Sequence, residues 1–171
     1  MARYPIGADG RLIEIVIDGP LPSGTIGEAD GPPADGRQVW SGAAWEWPVA
    51  HAKAMVQAKI TAAYDQRLDA GLAFGGKVLQ LREKDQANLT AMGSEARWAQ
   101  ATNATWPPTF AWRMADDTFL PLPTAAAMIA LAEAGKNEVL RLRMVKWGHD
   151  DNLALLTDPH EILAYDYSGG W

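Results

Sequence analysis

The chain has 171 residues, 48% of them apolar and 21% charged, with a formal net charge of −6. That length predicts one domain, or one domain with a small appendage, and the composition excludes a chain that is mostly disordered. No apolar run approaches the ~20 residues that cross a bilayer. The acidic balance argues against broad nucleic-acid binding, and the absence of cysteine removes disulfide scaffolds, thiolate metal sites and cysteine nucleophiles.

The opening residues Met1–Gly7 carry one basic residue with no apolar stretch behind it, so no secretory signal is expected. Residues 1–47 are rich in proline and glycine and hold three tryptophans. Leu12–Ile17 reads as a strand with Ile13, Ile15 and Ile17 on one face, stopped by Asp18-Gly19-Pro20. Residues 21–37, broken by Pro22, Gly24, Gly27, Gly31, Pro32, Pro33 and Gly36, read as an extended connector. Gln38-Val39-Trp40 and Ala44-Trp45-Glu46-Trp47 then suggest a small hairpin across Ser41-Gly42-Ala43.

Residues 48–148 form the denser domain. Pro48 suits a first helical position, and Val49, Ala52, Val56, Ile60, Ala63 and Tyr64 recur at helical spacing up to a stop near Gly71. Leu72-Ala73-Phe74 and Lys77-Val78-Leu79-Gln80-Leu81 flank Gly75-Gly76, which predicts a hairpin with both turn residues at positive φ. Asp85 suits a helix start, with Leu89, Met92, Ala96 and Ala99 on one side and an end by Asn103. A second hairpin is expected across Ala115-Asp116-Asp117, its second strand at an edge because of Pro121. Thr124 caps the longest helix, with Met128, Leu131, Gly135, Val139, Leu142 and Val145 inward and an end near Gly148. Residues 149–171 form a C-terminal extension: Asp158, Pro159 and Glu161 signal a short capped helix, followed by a tail from Tyr165 to Trp171.

No constellation nominates a reaction. His149-Asp150-Asp151 followed by His160-Glu161 is the densest polar knot, and its spacing matches no ligand pattern, so no metal and no cofactor are expected. Asp116-Asp117 reads as a turn rather than a carboxylate pair. Gly75-Gly76-Lys77 lacks the residues and the following helix of a phosphate loop. Ser23, Ser41, Ser94 and Ser168 lack a nucleophile-elbow context.

The 8 tryptophans are more informative. Trp98, Trp106, Trp112 and Trp147 are expected in the core or at its rim. Trp40, Trp45 and Trp47 either pack back onto the helices or anchor an interface; packing is favoured, with at least one ring serving a contact. Trp171, behind Gly169-Gly170 and near Tyr165 and Tyr167, is a candidate interface residue. The candidate contact set is thus Trp40, Trp45, Trp47, Tyr165, Tyr167 and Trp171.

The run Ile60–Lys77, the step Asp85-Gln86-Ala87-Asn88-Leu89-Thr90, the Trp-bearing segment Phe110–Asp117 and the Ala/Leu-rich helix over 124–147 resemble an uncharacterised domain family, a domain of unknown function common in small proteins of tailed phages and prophages. The likeness covers roughly residues 48–148, close to a typical domain length. The first 47 residues, with Trp40-Ser41-Gly42-Ala43-Ala44-Trp45, are similar in flavour to the N-terminal parts of tail-fibre assembly proteins. Residues 149–171 extend beyond the family pattern.

The resemblance implies a phage tail-region protein with no catalytic residues to carry over. The expected fold is α+β: about three main helices with two short β-hairpins, preceded by a Pro/Gly/Trp-rich β appendage. The expected function is that of a non-enzymatic structural component of a tail tip, baseplate or fibre attachment site. Such a protein would be made in the bacterial host cytoplasm and built into the virion. Its expected partners are other tail proteins and copies of itself in a cyclic arrangement, with neither nucleic acid nor membrane. A tail-fibre assembly chaperone is the alternative, and a small metal-dependent host-acting enzyme a remote one.

Overall fold

In the computed structural model, which describes residues 2–16, 20–25 and 27–171, the chain begins with a short antiparallel ladder. β1 (Tyr4–Ile6) pairs with β2 (Gly27–Ala29), setting Tyr4 against Ala29 and Ile6 against Gly27. The Pro/Gly-rich stretch thus supplies a strand, in a two-stranded ladder where both strands are edges and broken backbone pairing is tolerated. Beside it Arg3 donates from Nε to Glu28 Oε2 at 2.8 Å and from Nη2 to Oε1 at 2.9 Å.

The strand expected over Leu12–Ile17 is not formed. Leu12 and Val16 make isolated bridges to Ile6 and Arg3. These two bridges are one residue out of step with each other, so no continuous ladder joins them. Val16 is the buried side chain, and Ile13 and Ile15 are 41% and 53% exposed; Ile17 lies outside the described residues.

β3 (Val39–Trp40) pairs with β4 (Trp45–Glu46), with Trp40 opposite Trp45. The loop closes because Gly42 takes φ +101° and the Ser41 hydroxyl both donates to Ala44 O and accepts from Ala44 N–H.

α1 spans Val49–Ala70. Pro48 stands just ahead of it, and its carbonyl accepts from Ala52 N–H at 2.9 Å. Gly71, at φ +74°, ends it, as the left-handed C-terminal position requires. The apolar positions 52, 56 and 60 are buried, whereas Val49 in the first turn is exposed. β5 (Leu72–Phe74) and β6 (Lys77–Leu79) follow as the expected hairpin, with Gly75 and Gly76 at φ +58° and +77°.

α2 runs Glu83–Thr102 and starts two residues before Asp85. Arg82 occupies the cap position without a side-chain cap bond. Asp85 instead sits in the first turn beside Glu83, where negative charge complements the helix dipole, and it accepts from Arg82 Nε at 3.0 Å. Asn103, left-handed at φ 54°, closes the helix. β7 (Ala111–Arg113) and β8 (Phe119–Pro121) make the second hairpin of this region, with Pro121 at an edge as expected.

α3 spans Ala125–Leu155. Thr124 Oγ1 accepts from Ala127 N–H at 3.1 Å, the expected cap. The expected end near Gly148 is corrected: the helix continues for seven more residues. A glycine in a helix interior costs about 1 kcal/mol relative to alanine. The i,i+4 ion pair between Lys146 and Asp150, 2.8 Å apart, spans Gly148, and buried Leu153 anchors the turn beyond it. α4 (Pro159–Leu163) has the cap read from sequence, with Asp158 accepting from His160 N–H at 2.8 Å.

The fold is α+β: three main helices, a short fourth and several two-stranded antiparallel hairpins. The residues gather into two compact units. One comprises Met1–Ala58 with Asn152–Asp166; its buried apolar side chains include Pro5, Ile6, Val16, Ala29, Ala52, Val56, Leu153 and Ile162. The other comprises Lys59–Asp151 with Tyr167–Trp171. Its core joins Leu79 and Leu81 to Leu89 and Ala96 of α2 and to Met128, Leu131, Ala132 and Val139 of α3, with Met114 and Leu122 beside them. The divisions at 47/48 and 148/149 are ones of sequence character; the units divide within α1 and α3. Among the described residues no helix is long and apolar enough to cross a membrane.

Candidate functional site

Five of the six candidate contact residues fall into two aromatic clusters, and Tyr165 lies in neither. In the unit holding the N-terminal segment, Trp40 and Trp45 meet edge to face at 5.5 Å, the geometry favoured by ring quadrupoles. The Trp45 indole N–H donates to Gly31 O at 2.7 Å, which fixes that ring against the Pro/Gly stretch. Trp47 stacks on His51 at 4.8 Å, and the Arg37 guanidinium lies 5.4 Å from the Trp47 ring centre. Arg37 is itself held by Asp35, Nη2 to Oδ2 2.6 Å, and this hydrogen-bonded pairing keeps the Asp35 carboxyl well below the usual carboxylate range. All three tryptophans are half-buried. Their own chain holds part of each ring and leaves part to solvent.

The second cluster lies at the C-terminus, in the unit that holds α2 and most of α3. The Trp171 indole N–H donates to Tyr167 O at 2.7 Å, and the Trp171 ring lies 5.4 Å from the His149 ring on α3. His149 Nε2 hydrogen-bonds with Gly169 O at 3.0 Å, and Arg141 Nη1 reaches Gly170 O at 3.4 Å. Gly170, at φ +84°, turns the tail against Val145: a Cβ there would lie 3.3 Å from Val145 Cγ1. The tail of glycines and aromatics therefore has partners within its own unit. The sequence offered no such partner because His149, Arg141 and Val145 lie twenty or more residues away. Tyr167 belongs to this clasp, whereas Tyr165 belongs to the other unit, where its N–H donates to Ile162 O.

Two of the four tryptophans expected in the core are outside it. Trp106 and Trp112 are half-buried and pack against the core cluster, and Trp106 donates from Nε1 to Leu122 O at 3.0 Å. Trp98 and Trp147 are 58% and 52% exposed. On α2 the buried positions are Leu89, Gly93, Ala96 and Ala99, the last three small enough to admit α3 closely, and Trp98 falls off that line. On α3 the same holds for Trp147, which shares an outer face with Leu140 and Met144, 48% and 61% exposed. Trp147 was expected in the core or at its rim because large apolar residues favour burial; the steps of four and three between 140, 144 and 147, off the inward positions 139, 142 and 145, carried the signal of a shared outer face.

The polar knots have local explanations. His149 and Asp150 bond along α3 and to the tail, and His160 lies in the first turn of α4. Among the described residues no three His, Cys, Asp or Glu side chains converge. Asp116 Oδ1 accepts from Thr118 N–H at 3.1 Å and from its hydroxyl at 2.6 Å; these bonds lower its pKa, the bond from the hydroxyl most. Asp117 takes φ 60° and its carboxylate meets Arg113. Both aspartates thus serve the turn. The Lys77 ammonium reaches Thr118 Oγ1 across the two hairpins, so Gly75-Gly76-Lys77 is a hairpin turn and its flank.

Residues 51–168 match a family described as a domain of unknown function, DUF4376. The chain belongs to that family. The DUF4376 match begins within α1 and ends three residues before the C-terminus. It therefore includes most of the extension after 148, which was expected to lie beyond the family pattern. The Trp40–Trp45 hairpin lies outside the DUF4376 match. No curated protein and no solved structure matches the chain.

Proposed function

We propose that this DUF4376 protein is a non-enzymatic component of a phage tail, at the tail tip, baseplate or fibre attachment site, and that it works by holding protein neighbours. The observation that carries the reading is the pair of aromatic clusters. Trp40, Trp45 and Trp47 at one end of the chain and Trp171 at the other are fixed by bonds to their own backbone or by ring stacking, yet each is only half-buried. Large aromatic rings held in one orientation lose little entropy on binding and are the usual anchors of protein interfaces. The sequence likeness to small tail-region proteins supplies the setting. The partners proposed are neighbouring tail proteins and copies of the chain itself.

The Trp-Ser-Gly hairpin at 40–45 also favours a second reading, a tail-fibre assembly chaperone that leaves before the particle matures. Quantitative mass spectrometry of purified particles beside the crude lysate separates the two. A fixed small copy number relative to the major tail proteins is the expected result. Abundance in the lysate with absence from particles would overturn the structural reading in favour of the chaperone.

A further inference from the structure

The outer face of α3 carries more than an apolar stripe. Lys136, Leu140, Met144, Trp147 and Asp151 follow one another at steps of four, four, three and four, so they lie along one side of the helix. All five are exposed. Among the described residues neither Lys136 nor Asp151 has an ion-pair partner: the cations and carboxylates of α3 that do pair are Glu133, Glu138, Arg141, Lys146 and Asp150. The face therefore reads positive, apolar, apolar, apolar, negative along its length. Such an order is complementary to itself when reversed.

We propose that this face of α3 pairs with the same face of a second copy of the chain, antiparallel, about a two-fold axis between Arg143 and Met144. That register sets Leu140 opposite Trp147 of the second copy, and Lys136 opposite its Asp151. Two-fold symmetry makes each pairing occur twice. Met144 falls opposite Arg143 of the second copy and, just off the axis, beside its own counterpart, where a flexible thioether packs well. Leu140 borders a groove of about 450 Å³ between α2 and α3, also lined by Leu89, Thr90, Val139 and Arg143, so Trp147 of the second copy has a recess to enter. Arg143, beside the axis, also lines a cleft with Asp65, Asp69, Arg82 and Glu83, whose three carboxylates outweigh its second cation and offset the approach of two guanidinium groups.

Parallel packing would set Lys136 against Lys136 and Asp151 against Asp151, and like charges in close register are disfavoured. The charge order therefore selects the antiparallel copy. The inference rests on the geometry of α3 and not on the tail reading, and its test uses the purified chain alone, so either can fail without the other.

The test is sedimentation velocity of the full chain across about 1 to 200 µM, a span in which a modest helix-pair interface is populated. A concentration-dependent dimer is expected, and Met144→Glu should raise its dissociation constant at least tenfold while circular dichroism and Tm remain those of the parent. Lys136→Asp and Asp151→Lys should each weaken self-association, because each sets like charges opposite one another. Mixing these two variants should restore a dimer, now hetero, read by native mass spectrometry. A parent that stays monomeric, a closed trimer or hexamer, a dimer indifferent to Met144→Glu, or a mixture that fails to form the heterodimer would each overturn the proposal.

Discussion

A Cβ placed on Gly93 of α2 would lie 2.7 Å from Cβ of Ala132 on α3, closer than two such atoms approach. The two helices thus touch backbone to methyl at this point, and the absent side chain sets their spacing. Gly135 repeats the device one turn along α3, where a Cβ would meet Leu89 Cδ1 at 3.0 Å. Helix propensity alone favours Gly93→Ala by up to about 1 kcal/mol. Forcing apart a close-packed helix pair costs about 1–3 kcal/mol, so the variant is expected to lose net stability in urea unfolding. A gain would show that the contact is loose.

Gly148 is the contrasting case. It lies inside α3, exposed, with open space where a Cβ would stand. Gly148→Ala is therefore expected to raise stability by about 0.5–1 kcal/mol, because the helix gains propensity and the unfolded chain loses freedom. Were Gly148 the left-handed end of the helix, as its place in the sequence suggested, the same change would destabilise. Thermal unfolding of the variant gives the sign.

The tail clasp makes a prediction about stability rather than assembly alone. Trp171 is half-buried and tied to Tyr167 and to the neighbourhood of His149. Full truncation of a buried Trp costs about 3–5 kcal/mol, so Trp171→Ala should cost a fraction of that, about 1–2 kcal/mol, with the domain still folded. Loss of near-ultraviolet dichroism from one ordered indole would accompany it. An unchanged Tm and an unchanged spectrum would show that the tail does not dock on its own unit.

Acid should weaken the same unit. The Glu138 carboxylate accepts from Arg141 Nε at 2.9 Å and Nη2 at 2.7 Å, and these bonds lower its pKa below the ordinary glutamate value. A carboxyl whose pKa is lower in the folded chain gives its full stabilisation above the unfolded value, about 4.3, and loses it as pH falls through the lowered folded value. Tm should therefore decline from about pH 5 toward about pH 3, and Glu138→Gln should flatten part of that decline. A variant with the same slope as the parent would remove this pair from the acid response.

The parts of the fold legible in sequence were those set by local chemistry. Gly75-Gly76 between apolar triplets, Asp158-Pro159 ahead of a short helix, Thr124 as a cap and Gly71 as a stop each depend on residues a few positions apart, and each stands where the pattern put it. The parts set by packing were not. Gly93 carries no local signal of its role, which depends on Ala132 standing against it. Trp98 and Trp147 are large and apolar as core residues are, but the buried lines of α2 and α3 run through other positions. Ile13 and Ile15 alternate as a strand should, but the mismatch between the bridges of Leu12 to Ile6 and of Val16 to Arg3 leaves them outside. For the candidate contacts, the Trp-rich character was legible, while the partners that orient the rings, Gly31, His51 and His149, emerged only from the folded chain.

Both proposed readings require that a phage tail is incomplete without this chain, and the most direct test is to delete the coding sequence from the producing phage and view the lysate by electron microscopy, with complementation in trans. Particles lacking a complete tail tip, baseplate or fibres, restored by the complementing copy, are the predicted result. Complete, infectious particles at normal yield in the absence of the protein would contradict both.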